Sequence, residues 1–245
     1  MHHLGLTRSS LKPDHLLQTP DTFVRIPLPG ASGVDSIVHA GPQLGAGFSQ
    51  ITAEFSEGGS LSTGSAQRFI YVLAGEIALT IGEKKHLLGP GGYAYLPKGA
   101  EHMLTAMTAG KAAVIEKHYE PLSNAPAPSI VVGHESSVSE VPLMGDPSLR
   151  VRSLLPDNDS YDFAVNTMTY DPGAGLSMVE IHVMEHGLLM LEGGGIYRLG
   201  DSWYPVEAGD FIWMAPYCPQ WFAAVGRKPA KYLIYKDWRR HPLGA

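Results

Sequence analysis

The chain has 245 residues, 44% hydrophobic and only 17% charged, with 28 glycines, 19 prolines, one cysteine and a net charge of −6. An acidic balance without a basic run excludes a partner bound along a phosphate backbone, so no nucleic acid is expected. The single cysteine, Cys218, excludes an intrachain disulfide and suits a reducing compartment.

In chain order, the opening MHHLGLTRSSLKPD has no apolar stretch long enough for a signal peptide, which points to the cytoplasm. Residues 1–50, with TPDTFVRIPLPGASG, read as an extended arm carrying one or two strands. Residues 51–122 alternate apolar and polar positions between glycine turns, the pattern of short antiparallel strands. The polar, proline-rich stretch EPLSNAPAPS, residues 120–129, marks a linker drawn at residues 123–130, and residues 131–245 return to the strand pattern. No segment has a helical period long enough to dominate, and none approaches the roughly 20 apolar residues of a membrane span.

The two halves repeat. The segment from Phe69, FIYVLAGEIALTIGEKKHLLGPGGYAYLPKGAEHML, lies over the segment from Gly187, GLLMLEGGGIYRLGDSWYPVEAGDFIWMAPYCPQWF, at an ungapped offset of 118 residues. Leu73 meets Leu191, Gly75 meets Gly193, Gly82 meets Gly200 and Gly91 meets Gly209. Few residues are identical, but turn glycines and strand parity agree throughout.

This pattern resembles the cupins, and implies an all-β chain of two tandem double-stranded jelly rolls. The first cupin motif appears in the C-terminal half as Gly175, Glu180, His182, His186 and Gly193, and the second as Gly209 with Gln220 in its histidine place. The N-terminal half keeps only the second motif: Gly91, Pro97, Gly99 and His102. Glu180, His182 and His186 share parity, so an unbroken strand points all three to one face, while Glu185 points away. One carboxylate, two imidazoles and one amide oxygen suit Mn²⁺, Fe²⁺ or Zn²⁺, and the oxygen content tilts the set toward Mn²⁺. The equivalents in the first half are Ser62, Gly64, Arg68 and His102, which predicts a metal-free N-terminal barrel.

The stretch EIHVMEHGLLMLEGGGIYRLGDSWYPVEAGDFIWMAPYCPQWFAAVGRKPAKYLIYKDWRR is similar to the C-terminal half of the (S)-ureidoglycine aminohydrolases. That resemblance implies a manganese-dependent hydrolase that takes a small ureido substrate, (S)-ureidoglycine, to (S)-ureidoglycolate and ammonia. It implies Glu180, His182, His186 and Gln220 as metal ligands. It also implies Tyr197, Tyr232 and Lys236 as substrate-binding residues, with Lys236 catalytic as proton carrier or carboxylate anchor. Tyr197 reads equally as a cross-strand packing aromatic, and Lys236, without the resemblance, as a charge at a strand end. The resemblance further implies a homo-oligomer. The rival readings are another metal-dependent cupin enzyme, an iron dioxygenase or isomerase, and a non-catalytic two-cupin protein.

Overall fold

The computed structural model describes residues 5–237 and 239–240. Among them, helix is limited to three short 3-10 turns, Pro20–Thr22, Pro42–Leu44 and Glu135–Ser137, and strands build the rest. The chain divides into two compact units. One holds Val24–Val138 and Asn158–Asp162; the other holds the described residues up to Phe23, Ser139–Asp157 and those from Phe163 onward.

In the N-terminal unit one sheet runs in the order Val131–His134, Gly92–Leu96, Gln67–Ala74, Gly110–Lys117, Ser49–Ser62, Met103–Ala106, Ile77–Ile81, Lys84–Leu88. Every adjacent pair is antiparallel. The 14-residue strand Ser49–Ser62 pairs at its start with Gly110–Lys117 and at its end with Met103–Ala106, so this one strand joins the two halves of the path. The enclosed core includes Phe55, Ile70, Val72, Leu79, Leu96 and Leu104.

The C-terminal unit has an eight-stranded sheet and a separate three-stranded sheet. The larger sheet runs Ser10–Lys12, His15–Gln18, Phe211–Met214, His186–Glu192, Ala230–Lys236, Ala164–Tyr170, Asp146–Ser153, Val141–Leu143. The smaller one runs Ser202–Glu207, Gly194–Leu199, Gln220–Ala224. Between them lies a core that includes Tyr170, Tyr197, Tyr232, Phe222, Leu188 and Met190. Tandem jelly rolls are therefore what the alternation and the glycine turns build. The repeat is enforced sterically at its turns: Gly75 and Gly193 both have positive φ, +75 and +62. A Cβ on either would lie 2.5 or 2.4 Å from a carbonyl oxygen, of Ala109 or Pro229, so only glycine fits.

The strands of residues 1–50 divide between the two units: His15–Gln18 pairs with Phe211–Met214 of the C-terminal unit, while Arg25–Pro27 and Ala31–Ala40 join the N-terminal sheet. Arg8 holds this hairpin through two bonds to the carboxylate of Asp210, at 2.6 and 2.9 Å, and Asp210 is fully buried. Residues 123–130 carry no strand or helix, and Val131–His134 beyond them pairs with Gly92–Leu96. The N-terminal unit therefore runs on to Val138.

Candidate active site

Strand pairing in the C-terminal unit explains how distant residues meet. His186 opens the strand His186–Glu192, and its Cα stands opposite Lys236 on one side and Met214 on the other. Directly opposed residues of an antiparallel pair project to the same face. Lys236 and His186 therefore start side by side. Tyr232, four residues before Lys236, keeps that parity and stands opposite Met190 in the core. Gln220 opens Gln220–Ala224, which pairs with the strand carrying Tyr197. Glu180 is tied to Gln220 by reciprocal backbone bonds, N to O, of 2.8 and 2.9 Å.

That bridge replaces the unbroken strand expected from parity. Residues 171–185 contain only two isolated pairings, Gly175 with Ala223 and Glu180 with Gln220, and bend at Ser177–Met178 and Val183–Met184. Gly173 at φ +84 starts the departure, and Met178 and Ile181 are exposed. Parity cannot act through a bent segment, so the backbone bridge to Gln220 is what sets Glu180. Glu185 does face elsewhere: its carboxylate is buried and accepts a bond from Trp213 Nε1 at 3.0 Å.

The side chains gather. Glu180 Oε2 is 3.1 Å from His182 Nε2, and the His182 and His186 ring centroids are 5.1 Å apart. Tyr197 donates its hydroxyl to Gln220 Oε1 at 3.2 Å. Tyr232 and Tyr170 hydroxyls are 2.7 Å apart. Tyr170 was not singled out on the sequence; its only signal there is the end of the alternating run AVNTMTY. His186 is 2% exposed, and its Nδ1 has no hydrogen-bond partner. A buried ring nitrogen left without a well-aligned partner is costly; backbone groups of Tyr235 and Glu185 lie close to the ring, and an ion held by the imidazole would offset part of that cost.

Electrostatics agree. Burial holds the His186 pKa well below its usual 6.5, with Lys236 and His182 adding to the shift, so the ring is neutral and can ligate. Burial lowers Lys236, against the pull of Glu180. Among the described residues the Lys236 amine has neither a hydrogen bond nor an ion pair. Burial raises Tyr197 and Tyr232 well above 10, so both keep their protons as hydrogen-bond donors.

Among the described residues, the His, Cys, Asp or Glu trio whose donor atoms all lie within 4.8 Å of one another is a different one: Asp14, His15 and Cys218. Sequence reading had no signal for it, because the hairpin carrying Asp14 and His15 reaches its partners only through the fold. Its groups already satisfy one another. His15 Nδ1 is 2.8 Å from Asp14 Oδ1, its Nε2 is 2.8 Å from the Tyr204 hydroxyl, and the Cys218 thiol reaches Pro219 O at 3.6 Å. Burial, then Asp14, pushes that thiol up to about 11. With both ring nitrogens engaged, this cluster fastens the hairpin. The unpaired Nδ1 of His186 makes the other group the better candidate for an ion.

Two jelly rolls in one chain, with a cluster of candidate ligands in the second, define a two-domain cupin. A EutQ-like cupin domain matches residues 43–119 and a cupin domain matches residues 166–235. The (S)-ureidoglycine aminohydrolase of Arabidopsis thaliana is 41% identical over 244 residues, covering 98% of this chain and 80% of its own. The (S)-ureidoglycine aminohydrolase of Escherichia coli (strain K12) is 31% identical over 233 residues, with 91% and 88% covered. The crystal structure of a putative glyoxylate induced protein from Pseudomonas aeruginosa superposes with a TM-score of 0.88 at 30% identity, over 96% of this chain and 93% of that one. The chain belongs to the (S)-ureidoglycine aminohydrolase family.

Proposed function

We propose that this chain hydrolyses (S)-ureidoglycine to (S)-ureidoglycolate and ammonia. The observation that carries the reading is His186 Nδ1, buried and unpaired, on the strand opposite Lys236 and beside His182. Glu180, His182, His186 and Gln220 are the residues that would hold a divalent ion, and two oxygen donors among four favour Mn²⁺. Bound there, an ion supplies Lewis acidity, orienting substrate oxygen and nitrogen atoms and lowering the pKa of water.

In the reaction, a water oxygen bonds to the carbon bearing the amine, the C–N bond to that amine breaks, and the nitrogen leaves as ammonia. Lys236 moves the proton: burial lowers its pKa against the pull of Glu180, and among the described residues no hydrogen bond or ion pair ties the amine down. Tyr232 donates to a substrate oxygen, oriented by the Tyr170 hydroxyl at 2.7 Å. Tyr197 gives its hydrogen bond to Gln220 Oε1, so its part is to hold the amide rather than the substrate. The reading extends to a homo-oligomer, supported by the edge strand Val141–Leu143 with Val141 and Met144 exposed. It also extends to the cytoplasm, supported by the one cysteine, which is a free thiol. Among the described residues no helix is long and apolar enough to cross a membrane.

The test is direct. Manganese-loaded protein receives freshly generated ureidoglycine, and ammonia release is followed against the spontaneous reaction. Acceleration that disappears on chelation is the expected result; no acceleration with the metal present removes the proposal.

A further inference from the structure

The N-terminal barrel contains a cavity of about 240 Å³ at the place its sequence repeat marks. Three lining residues, Ser62, Gly64 and Arg68, stand 118 positions before Glu180, His182 and His186. A cation is already present there, but a covalently attached one. The Arg68 guanidinium is buried and directs Nε and Nη2 to Glu116 Oε1, at 2.7 and 2.6 Å. Its Nη1 donates to Ser62 O at 2.7 Å and to His102 Nε2 at 2.9 Å. Arginine can only donate, so His102 Nε2 is an acceptor and the ring carries its proton on Nδ1, which reaches Ala100 O at 2.7 Å. Gly64 makes room for this pair, since a Cβ on it would lie 2.9 Å from Arg68 Nη2 and 3.0 Å from Glu116 Oε1.

The polar groups left over specify a ligand. Four of the five Arg68 N–H donors are engaged and its charge is balanced by Glu116, so the cavity has little net pull on an ion. Glu116 Oε2 has no partner among the described residues, and its side chain is about one-third exposed, at 34%. It asks for an N–H or O–H donor. The Ser49 and Ser65 hydroxyls also line the space, without a hydrogen bond among the described residues, and either can donate to a carbonyl. Behind them Leu28, Ile51, Leu61 and Val114 form an apolar wall. The volume exceeds the roughly 150 Å³ of an engineered cavity that binds benzene in another protein.

We propose that this cavity is a second, metal-independent binding site for a small neutral molecule of the amide or urea class, its N–H groups on Glu116 Oε2 and its carbonyl on a serine hydroxyl. The site stands apart from the reaction assigned to the other barrel and does not depend on it.

The test uses the full chain, metal-free, with ethylurea and N-methylacetamide as probes in saturation-transfer NMR. The expected result is transfer to the alkyl protons of at least one probe at millimolar concentration. Ser65→Trp, at an exposed position on the rim, fills the space without touching the core and should abolish the transfer. Glu116→Gln should weaken it severalfold. His182→Ala, in the other barrel, should leave it unchanged. Circular dichroism checks that each variant keeps its strand signal, and Ser65→Trp serves if Glu116→Gln fails to fold. Absence of transfer to either probe, transfer that survives Ser65→Trp, or transfer lost in His182→Ala would overturn the proposal.

Discussion

Acid should weaken this protein through a buried histidine of the N-terminal unit. His39, on the strand Ala31–Ala40, is 4% exposed and bonds Thr52 Oγ1 through Nε2 at 2.8 Å. Burial lowers its pKa from 6.5 to about 3. Above pH 6.5 the ring is neutral in both folded and unfolded chains, and its contribution is complete. Below 6.5 the unfolded chain takes up a proton that the folded one refuses, so stability falls until the pH reaches about 3. Each pH unit in that window costs about 1.4 kcal/mol, so the loss from pH 7 to pH 5 is about 2 kcal/mol. Urea unfolding of metal-free protein, followed by tryptophan fluorescence at both pH values, measures it. His39→Gln keeps a side chain able to bond Thr52 but cannot titrate, so its loss over the same interval should be smaller by that amount. The comparison cancels the other histidines. Equal losses in the two proteins would mean that His39 is hydrated or charged in the native state, and the burial argument would fail.

The site gives three further expectations. His186→Ala should abolish manganese retention after gel filtration, measured by elemental analysis; full metal content would show that the unpaired Nδ1 is not a ligand position. Lys236→Met should lower kcat by roughly 10²-fold or more with metal content unchanged, the usual size of a lost proton-transfer group. Lys236→Arg should fail equally, because a guanidinium keeps its proton near neutral pH; recovery of rate by arginine would make the residue an anchor instead. Tyr197→Phe keeps the ring contact with Phe222, at 5.4 Å, and removes only the bond to Gln220. A carbonyl oxygen has two lone pairs, so the hydroxyl and an ion do not compete for it. Losing the hydroxyl should therefore loosen the amide and weaken manganese binding about tenfold, or about 1.4 kcal/mol. A raised KM with unchanged metal affinity would return Tyr197 to the substrate.

Much of the fold was legible because its signals are local and sterically forced. Gly75 and Gly193 occupy turns where a Cβ would strike a carbonyl, so the repeat preserves them while most other positions drift. The grouping of Glu180, His182 and His186 was legible from motif spacing, but the physical reason drawn from it was wrong. Period-2 parity holds only where a strand is paired along its length, and residues 171–185 are paired at two points. What fixes Glu180 is a backbone bridge to Gln220, forty positions away, and no local pattern encodes it. The N-terminal hairpin hid for the same reason. Arg8 finds Asp210 across 202 positions, and nothing in RSSLKPD says which barrel it will join. The candidate residues that strand pairing does bring together, His186 with Lys236 and Gln220 with Tyr197, sit on adjoining strands. For a duplicated barrel, the repeat gives the scaffold and the departures from it point to chemistry. Where His186 is replaced by Arg68, the position of a candidate ion ligand carries an internal ion pair beside an open cavity.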